Sequence, residues 1–437
     1  MVSATGDCPR VLFLTSSAFN RFTGGGVTFS NLFSGWPRER IATVHNDTVP
    51  VSMDVCSRYF LLTRAEVHKW GPFRYLERMA GLAAAESGGG GAHVGVITRA
   101  LRVIKVMLFG NALPDVGELT PRLEDWVAEF KPQVLYTILG TNAMMDLTEA
   151  LRRRFGLGLV VHIMDDWPAV AYRGGLFSWI PRLRMERSLR HLVTVAKARM
   201  CIGDEMAQEY ERRYGAPFLP FQNPVDMEKW RSLTKSDVTI RGAVNLLYIG
   251  SVLPDAQLAS LMDCCQAVKA LRREGVDIVF DIHSPAFQTG AVRDRLAIDS
   301  AIRVHDAVIA DEDLFHRLGT ADILFLPVNF DDDTVRYIRL SMPTKIPAYL
   351  CSGTPILVYA PPDIAQTRYA RASGWGYVVS ERGVQRLMAG IRQLAAEPAL
   401  RERLSRSARQ TAAKQHDAQS VRVRFQMALR DCTVSHQ

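Results

Sequence analysis

The sequence predicts an α/β protein built from two doubly wound parallel sheets, and three observations carry that expectation. At 437 residues the chain is longer than a single hydrophobic core usually holds. Apolar, β-branched-rich runs recur between helical stretches: RVLFLTS (10–16), RIATVHN (40–46), QVLYTIL (133–139), GLVVHIM (158–164) and ARMCIGD (198–204). A second series then begins, with NLLYIGS (245–251), DIVFDIH (277–283), DILFLPV (322–328), PILVYAP (355–361) and GYVVS (376–380). Continuous apolar strands separated by amphipathic helices signal parallel sheets covered on both faces. Two such series in succession signal two domains.

The polar stretch PVDMEKWRSLTKSDVTIRG, residues 224–242, reads as the junction. It divides the chain into a Rossmann-like domain over 1–225, a second over 226–410, and a helical tail over 411–437 expected to return to the first. Doubly wound sheets bind ligands beyond the carboxyl ends of their strands, so two such domains are expected to face each other across a cleft.

Composition narrows the function classes. A 48% hydrophobic and 22% charged chain is that of an ordinary globular protein. The net charge of +8 is moderate, and no ribonucleoprotein motif, zinc finger or helix-turn-helix signature accompanies it, so nucleic acid is not the expected partner. The seven cysteines are scattered, odd in number and without zinc spacing, and Cys264 and Cys265 are adjacent on a predicted helix, where a mutual bridge would be strained. A reduced, cytoplasmic protein without structural metal is expected. No run has the apolar length of a membrane span, and the start MVSATGDCPR lacks a signal peptide's positive charge.

The residues at the predicted strand ends carry the chemistry. Gly24, Gly25 and Gly26 follow the first strand and precede a helical pattern, where backbone N–H groups can approach a ligand closely. In VVHIMDDWP, His162 and Met164 share one face, and Asp165 and Asp166 follow where the strand ends before Pro168. Two adjacent carboxylates there suit acid–base or charge-stabilising work, although either could also cap a helix and His162 could be a core histidine. Gly250 and Ser251 end the first strand of the second series. In SMPTKIPAYLCSGTPILVY, Thr344 is expected to cap a short helix that has Pro347 in its first turn and a left-handed stop at Gly353. Such a helix start, with Lys345 beside it, favours a phosphate.

Three passages together resemble the GT-B glycosyltransferases, specifically the large retaining family 4 (glycosyl transferases group 1). TGGGVTFSNL is similar to that family's glycine loop and first helix. ARMCIGDEMAQEYERRYGAPFLPFQNPVDMEKW resembles its domain-junction passage with an Asn-Pro-Val-Asp turn. ADILFLPVNF followed by SMPTKIPAYLCSGTPILVY resembles its nucleotide-sugar site. The resemblance implies a transferase moving a sugar from a nucleotide-diphosphate donor to a glycan, glycolipid or small acceptor, with retention. It implies that Gly24, Gly25, Gly26, Gly250, Ser251, Ser341, Thr344 and Lys345 bind the donor, and that Asp165 and Asp166 lie where the acceptor enters. No metal cofactor is implied, and three adjacent aspartates at 331–333 read as a solvated turn.

The chain departs from the family's pattern at telling places. Leu340 and Ala348 stand where the family carries two glutamates eight positions apart, the second of which holds the ribose hydroxyls. Met164 replaces the family's histidine before Asp165, which leaves His162 as a substitute candidate. The stretch after Ser251 lacks the usual arginine or lysine, so Lys345 is the expected cation. These departures motivate an alternative: a catalytically impaired GT-B-like binding or partner protein. Finally, Arg99, Arg102 and Lys105 punctuate the apolar run VGVITRALRVIKVMLFG, and residues 172–199 hold seven Arg or Lys against one Glu. Basic amphipathic stretches of this kind suit a peripheral contact with an anionic membrane face.

Overall fold

A computed structural model describes residues 8–71, 73–74, 103, 106–231, 233–308 and 310–433. The glycine run at 86–93 and the basic positions Arg99, Arg102 and Lys105 lie outside these residues. The chain divides into two compact units: one comprises Met1–Asn20, Phe33–Pro220 and Phe425–Gln437, the other Arg21–Leu32 and Phe221–Arg424. The first helix after the first strand, Gly24–Phe33, therefore belongs almost wholly with the second unit.

The first unit is built on a seven-stranded parallel sheet, and its strands are the predicted apolar runs with additions at the edges. In chain order they are β1 (Val11–Thr15), β2 (Ile41–His45), β3 (Arg58–Leu61), then a separate antiparallel pair β4 (Val67–Lys69) and β5 (Asp115–Gly117), then β6 (Val134–Thr137), β7 (Gly158–Ile163), β8 (Ala198–Cys201) and β9 (Leu219–Pro220). The sheet order is β3-β2-β1-β6-β7-β8-β9. Strands β1, β2, β6 and β7 are buried along their whole length, which is why each reads as an unbroken apolar run. Phe13, Phe33 and Tyr136 fill the centre of one face, with ring centroids 5.0 Å (Phe13–Tyr136) and 5.3 Å (Phe33–Tyr136) apart.

The second unit repeats the plan with six parallel strands: β10 (Val244–Ile249), β11 (Ile278–His283), β12 (Ile302–His305), β13 (Ile323–Pro327), β14 (Ile356–Tyr359) and β15 (Gly376–Val379). Their order is β12-β11-β10-β13-β14-β15. The chain runs outward from β10 to β12, then returns to the other side of β10 with β13. Helices diverge to opposite faces there and leave a crevice at the strands' carboxyl ends. Gly250 follows β10 directly, so it sits at that crevice.

The tail forms helices Pro398–Gln415 and Ala418–Arg430; the first packs into the second unit's core through Leu400, Leu404, Ala408 and Ala412, and an isolated bridge pairs Val225 with Asp417 between the two helices. All seven cysteines are buried and none is in a disulfide; Cys264 and Cys265 lie together on the helix Leu258–Arg273. Among the described residues no helix is long and apolar enough to cross a membrane.

Candidate functional site

The second unit gathers most of the expected donor residues around the end of β10. Tyr248, on β10, is fully buried, and its hydroxyl donates to the Ser251 carbonyl, curling the chain back immediately after the strand. Between them Gly250 adopts φ +149°, and its N–H donates to the His283 carbonyl at 2.9 Å. A side chain here would be strained by the backbone. It would also collide with Lys345, because a Cβ on Gly250 would fall 2.1 Å from the ammonium nitrogen.

Lys345 is held there by its own helix. The helix spans Ile346–Ser352, has Pro347 in its first turn and stops at Gly353 with φ +74°, both as expected. Tyr349 locks it to the strand end: the Ile249 N–H donates to the Tyr349 hydroxyl at 3.0 Å. Lys345 consequently lays its ammonium over the Tyr248 ring, 4.1 Å from the centroid. Among the described residues it has no hydrogen-bond or ion-pair partner. Desolvation against the ring lowers its pKa to about 7.

Thr344 requires a correction. It does not cap the helix: Lys345 occupies the N-cap position and no side chain caps it. Thr344 instead faces the glycine turn, where a Cβ on Gly24 would come within 3.2 Å of its hydroxyl. The glycines differ from expectation too. They are the first turn of the helix Gly24–Phe33, not a loop before it, and the Thr23 hydroxyl caps that turn by accepting from the Gly26 N–H at 3.1 Å. Three glycines cost helical stability, and here they let one backbone approach another closely while leaving the N–H groups of Gly24 and Gly25 without intrahelical acceptors.

Asn223 clasps these pieces. Its amide N–H donates to the Thr344 carbonyl at 2.8 Å, and its carbonyl oxygen accepts from Asn31, on the glycine-led helix, at 2.8 Å. Arg422 in turn donates to the Asn31 carbonyl at 2.7 Å. The Asn-Pro-Val-Asp passage is visible in the sequence, but the role of Asn223 is not, because its partners are nearly two hundred and about one hundred and twenty residues away. Tyr248 and Tyr349 were missed for the same reason. Nearby, the Ser341 hydroxyl is shielded from solvent and has no hydrogen-bond partner among the described residues.

Position 348 is the third residue of the Ile346 helix, and Ala348 packs partly buried against the unit's apolar core. Leu340 is buried, with 4% exposure. Both places where the resemblance leads one to expect glutamates are therefore built into apolar packing. The aspartate run resolves as a cap: Asp331 accepts from the Thr334 N–H at 2.9 Å and starts the helix Asp332–Ile338.

In the first unit the expected trio at the end of β7 splits apart. His162 is fully buried, its Nδ1 2.5 Å from the buried Tyr136 hydroxyl, and burial pushes its pKa down to about 3. It is a neutral core histidine, which corrects its reading as a catalytic substitute, because a ring sealed within the sheet layer reaches no ligand. Asp166 is also fully buried: Arg213 grips both of its carboxylate oxygens, at 2.7 and 2.9 Å, and the Tyr210 hydroxyl donates to it at 3.0 Å. That carboxylate ties β7 to the helix Asp204–Tyr214, so its pairing with Asp165 as an acceptor-side acid is corrected to an anchoring role. Asp165 is the member of the three that remains partly exposed.

The two aspartates therefore separate by experiment. Asp166→Asn leaves the Arg213 cation half-compensated, and we expect a loss of about 3 kcal/mol in folding stability by denaturant titration. Asp165→Asn is expected to change stability much less.

The lysine's lowered pKa has a pH consequence. Its folded value lies below the ordinary lysine range, so the amine is half charged near pH 7, fully charged well below it, and loses its charge as pH rises through that value. An anion beside it stabilises the charged form and raises the pKa again. Diphosphate binding is therefore expected to take up a proton above pH 7 and to weaken steadily as pH rises. Calorimetry in buffers of different ionisation enthalpy measures that uptake, and Lys345→Ala should abolish it.

This is the GT-B fold: two doubly wound parallel sheets of the same plan in one chain. No family model matches the chain, and no curated protein matches it. Solved structures do match over nearly its whole length. Sucrose-phosphate synthase from Thermosynechococcus elongatus is 11% identical, with 96% of this chain and 98% of that one covered and a TM-score of 0.60. Anabaena HepE, solved in complex with UDP and glucose, is 11% identical over 96% and 99%, with a TM-score of 0.59. WaaG, a glycosyltransferase involved in lipopolysaccharide biosynthesis, is 14% identical over 96% and 99%, with a TM-score of 0.56.

Proposed function

We propose that the chain is a glycosyltransferase that moves a sugar from a nucleotide-diphosphate-sugar donor to a hydroxyl of a glycan, glycolipid or small acceptor, with retention. The observation that carries this reading is Lys345, an ammonium with no acidic partner among the described residues, held beside Gly250 at the switch point of the second sheet. The likeness in fold to nucleotide-sugar enzymes supports it, and so does the crystallisation of HepE with UDP and glucose.

The roles follow from charge. The bond from the anomeric carbon to the diphosphate breaks with negative charge growing on the leaving oxygen. Lys345 and the N–H groups of Gly24, Gly25 and Ser251 would hold that charge, with Gly250 giving the close approach, since its own N–H is taken by the His283 carbonyl. Ser341, whose hydroxyl has no hydrogen-bond partner among the described residues, and Thr344 would donate to phosphate or sugar. Asp165 would act on the acceptor hydroxyl. This assignment uses protein groups for charge neutralisation and needs no resident metal. A reducing, cytoplasmic compartment fits the seven buried thiols. We expect Asp165→Asn to lower transfer at least tenfold while nucleotide affinity stays unchanged.

A second reading is favoured by the apolar packing of Leu340 and Ala348: a GT-B-shaped binding or partner protein with impaired catalysis. Slow donor hydrolysis decides between them. The full chain is incubated with a panel of nucleotide sugars, and nucleoside diphosphate release is followed. Release from one donor that falls with Lys345→Ala supports the enzyme. Donor binding without release supports the binding protein.

A further inference from the structure

The first unit carries an apolar surface that the sugar chemistry does not use. Two segments cross there, 106–111 and 173–180. Gly110 has φ +66°, and a Cβ on it would fall 1.7 Å from the Arg173 carbonyl oxygen; one on Gly175 would fall 2.3 Å from the Gly110 nitrogen. Only glycines permit this approach. It is stitched by backbone bonds: Asn111 N–H to the Arg173 carbonyl (3.0 Å), Leu176 N–H to Met107 (2.9 Å) and Phe177 N–H to Leu108 (2.7 Å). The crossing turns Leu176, Met107 and Trp179 outward with 70%, 67% and 61% exposure, and Phe177, Ile180 and Leu183 extend the patch along the helix Trp179–Val195.

We infer that this surface inserts into an anionic phospholipid bilayer. Large side chains held outward by a rigid, internally hydrogen-bonded turn are what an apolar phase accepts, because backbone polar groups must be satisfied before they leave water. Trp179 suits the headgroup boundary, with an apolar ring and one N–H. The surrounding charge selects the lipid. Residues 172–199 hold seven Arg or Lys and one acid, Glu186, which is engaged by Arg182 at 3.0 Å. Arg187 and Arg190 are exposed on the same helix, where basic residues near an anionic surface each add attraction.

Flotation of the full chain with vesicles tests this. Vesicles containing phosphatidylglycerol should carry the protein up, phosphatidylcholine vesicles should do so about tenfold less well, and added salt should release it. Leu176→Ser with Trp179→Ser should weaken binding at least tenfold. Arg187→Gln with Arg190→Gln, a pair outside the apolar cluster, should remove most of the preference for anionic lipid while circular dichroism stays unchanged. Protein that stays with the soluble fraction overturns the inference. So does vesicle binding indifferent to both pairs of substitutions. Lipid-free, concentration-dependent self-association that the apolar pair abolishes would also overturn it, by assigning the face to a second copy of the chain.

Discussion

Lys345→Ala is expected to weaken nucleoside diphosphate binding by about 1.5–3 kcal/mol, a loss of roughly ten- to hundredfold in affinity. The estimate is that of hydrogen bonds to a charged group, and the geometry makes it readable. The ammonium lies over the Tyr248 ring and beside Gly250 and has no ion-pair partner among the described residues, so its removal breaks no ion pair described in the fold. A desolvated ammonium with a lowered pKa is also a burden on the ligand-free protein. The variant should accordingly melt no lower than wild type without ligand and lose most of the stabilisation by ligand. A purely structural lysine would show the opposite pair of results. Unchanged affinity, measured by isothermal titration at pH 6.5–7, would remove Lys345 from the site.

Ala348→Glu is expected to tighten nucleotide binding by a similar amount and to do so through the ribose. Position 348 lies in the first turn of the Ile346 helix, close to Lys345, and a carboxylate there gains charge-assisted hydrogen bonds from two hydroxyls, about 1.5–3 kcal/mol when both form. The 2′-deoxy nucleotide should gain much less. A titration of wild type and variant with both nucleotides measures the difference. Equal gains for the two, or none, would show that the ribose is held elsewhere. Because Ala348 is partly buried against the core, the variant's ligand-free melting temperature must be recorded alongside.

The legible strands are mostly those buried on both sides, although the partly exposed edge strand β15, GYVV, also reads as an apolar run. All ten apolar runs are strands, since a central parallel strand has no solvent face to advertise with polar residues. The strands that went unread are short or half-exposed edges: β3, β4 and β9, and β12, whose IRVH mixes charge with apolar residues. The strand β5, DVG, is too short to carry a pattern. Within the site, Pro347 and Gly353 were readable because their chemistry is local. Thr344 was misread as a cap because its partners, Asn223 and Gly24, are remote in sequence. The same holds for Asp166, which looked like one of a reactive pair until Arg213, forty-seven residues on, was seen to occupy it.

The central claim is that the second unit binds a nucleoside diphosphate through its phosphates at Lys345. Thermal unfolding of the full chain, with and without nucleoside diphosphates and the matching free nucleosides, tests it most directly. Stabilisation by mass action amounts to about 2.7 kcal/mol at a hundredfold excess over the dissociation constant. A rise in melting temperature is expected with at least one nucleoside diphosphate, a much smaller rise with its nucleoside, and loss of the difference in Lys345→Ala. No rise with any nucleoside diphosphate, or a rise that Lys345→Ala leaves intact, would contradict it.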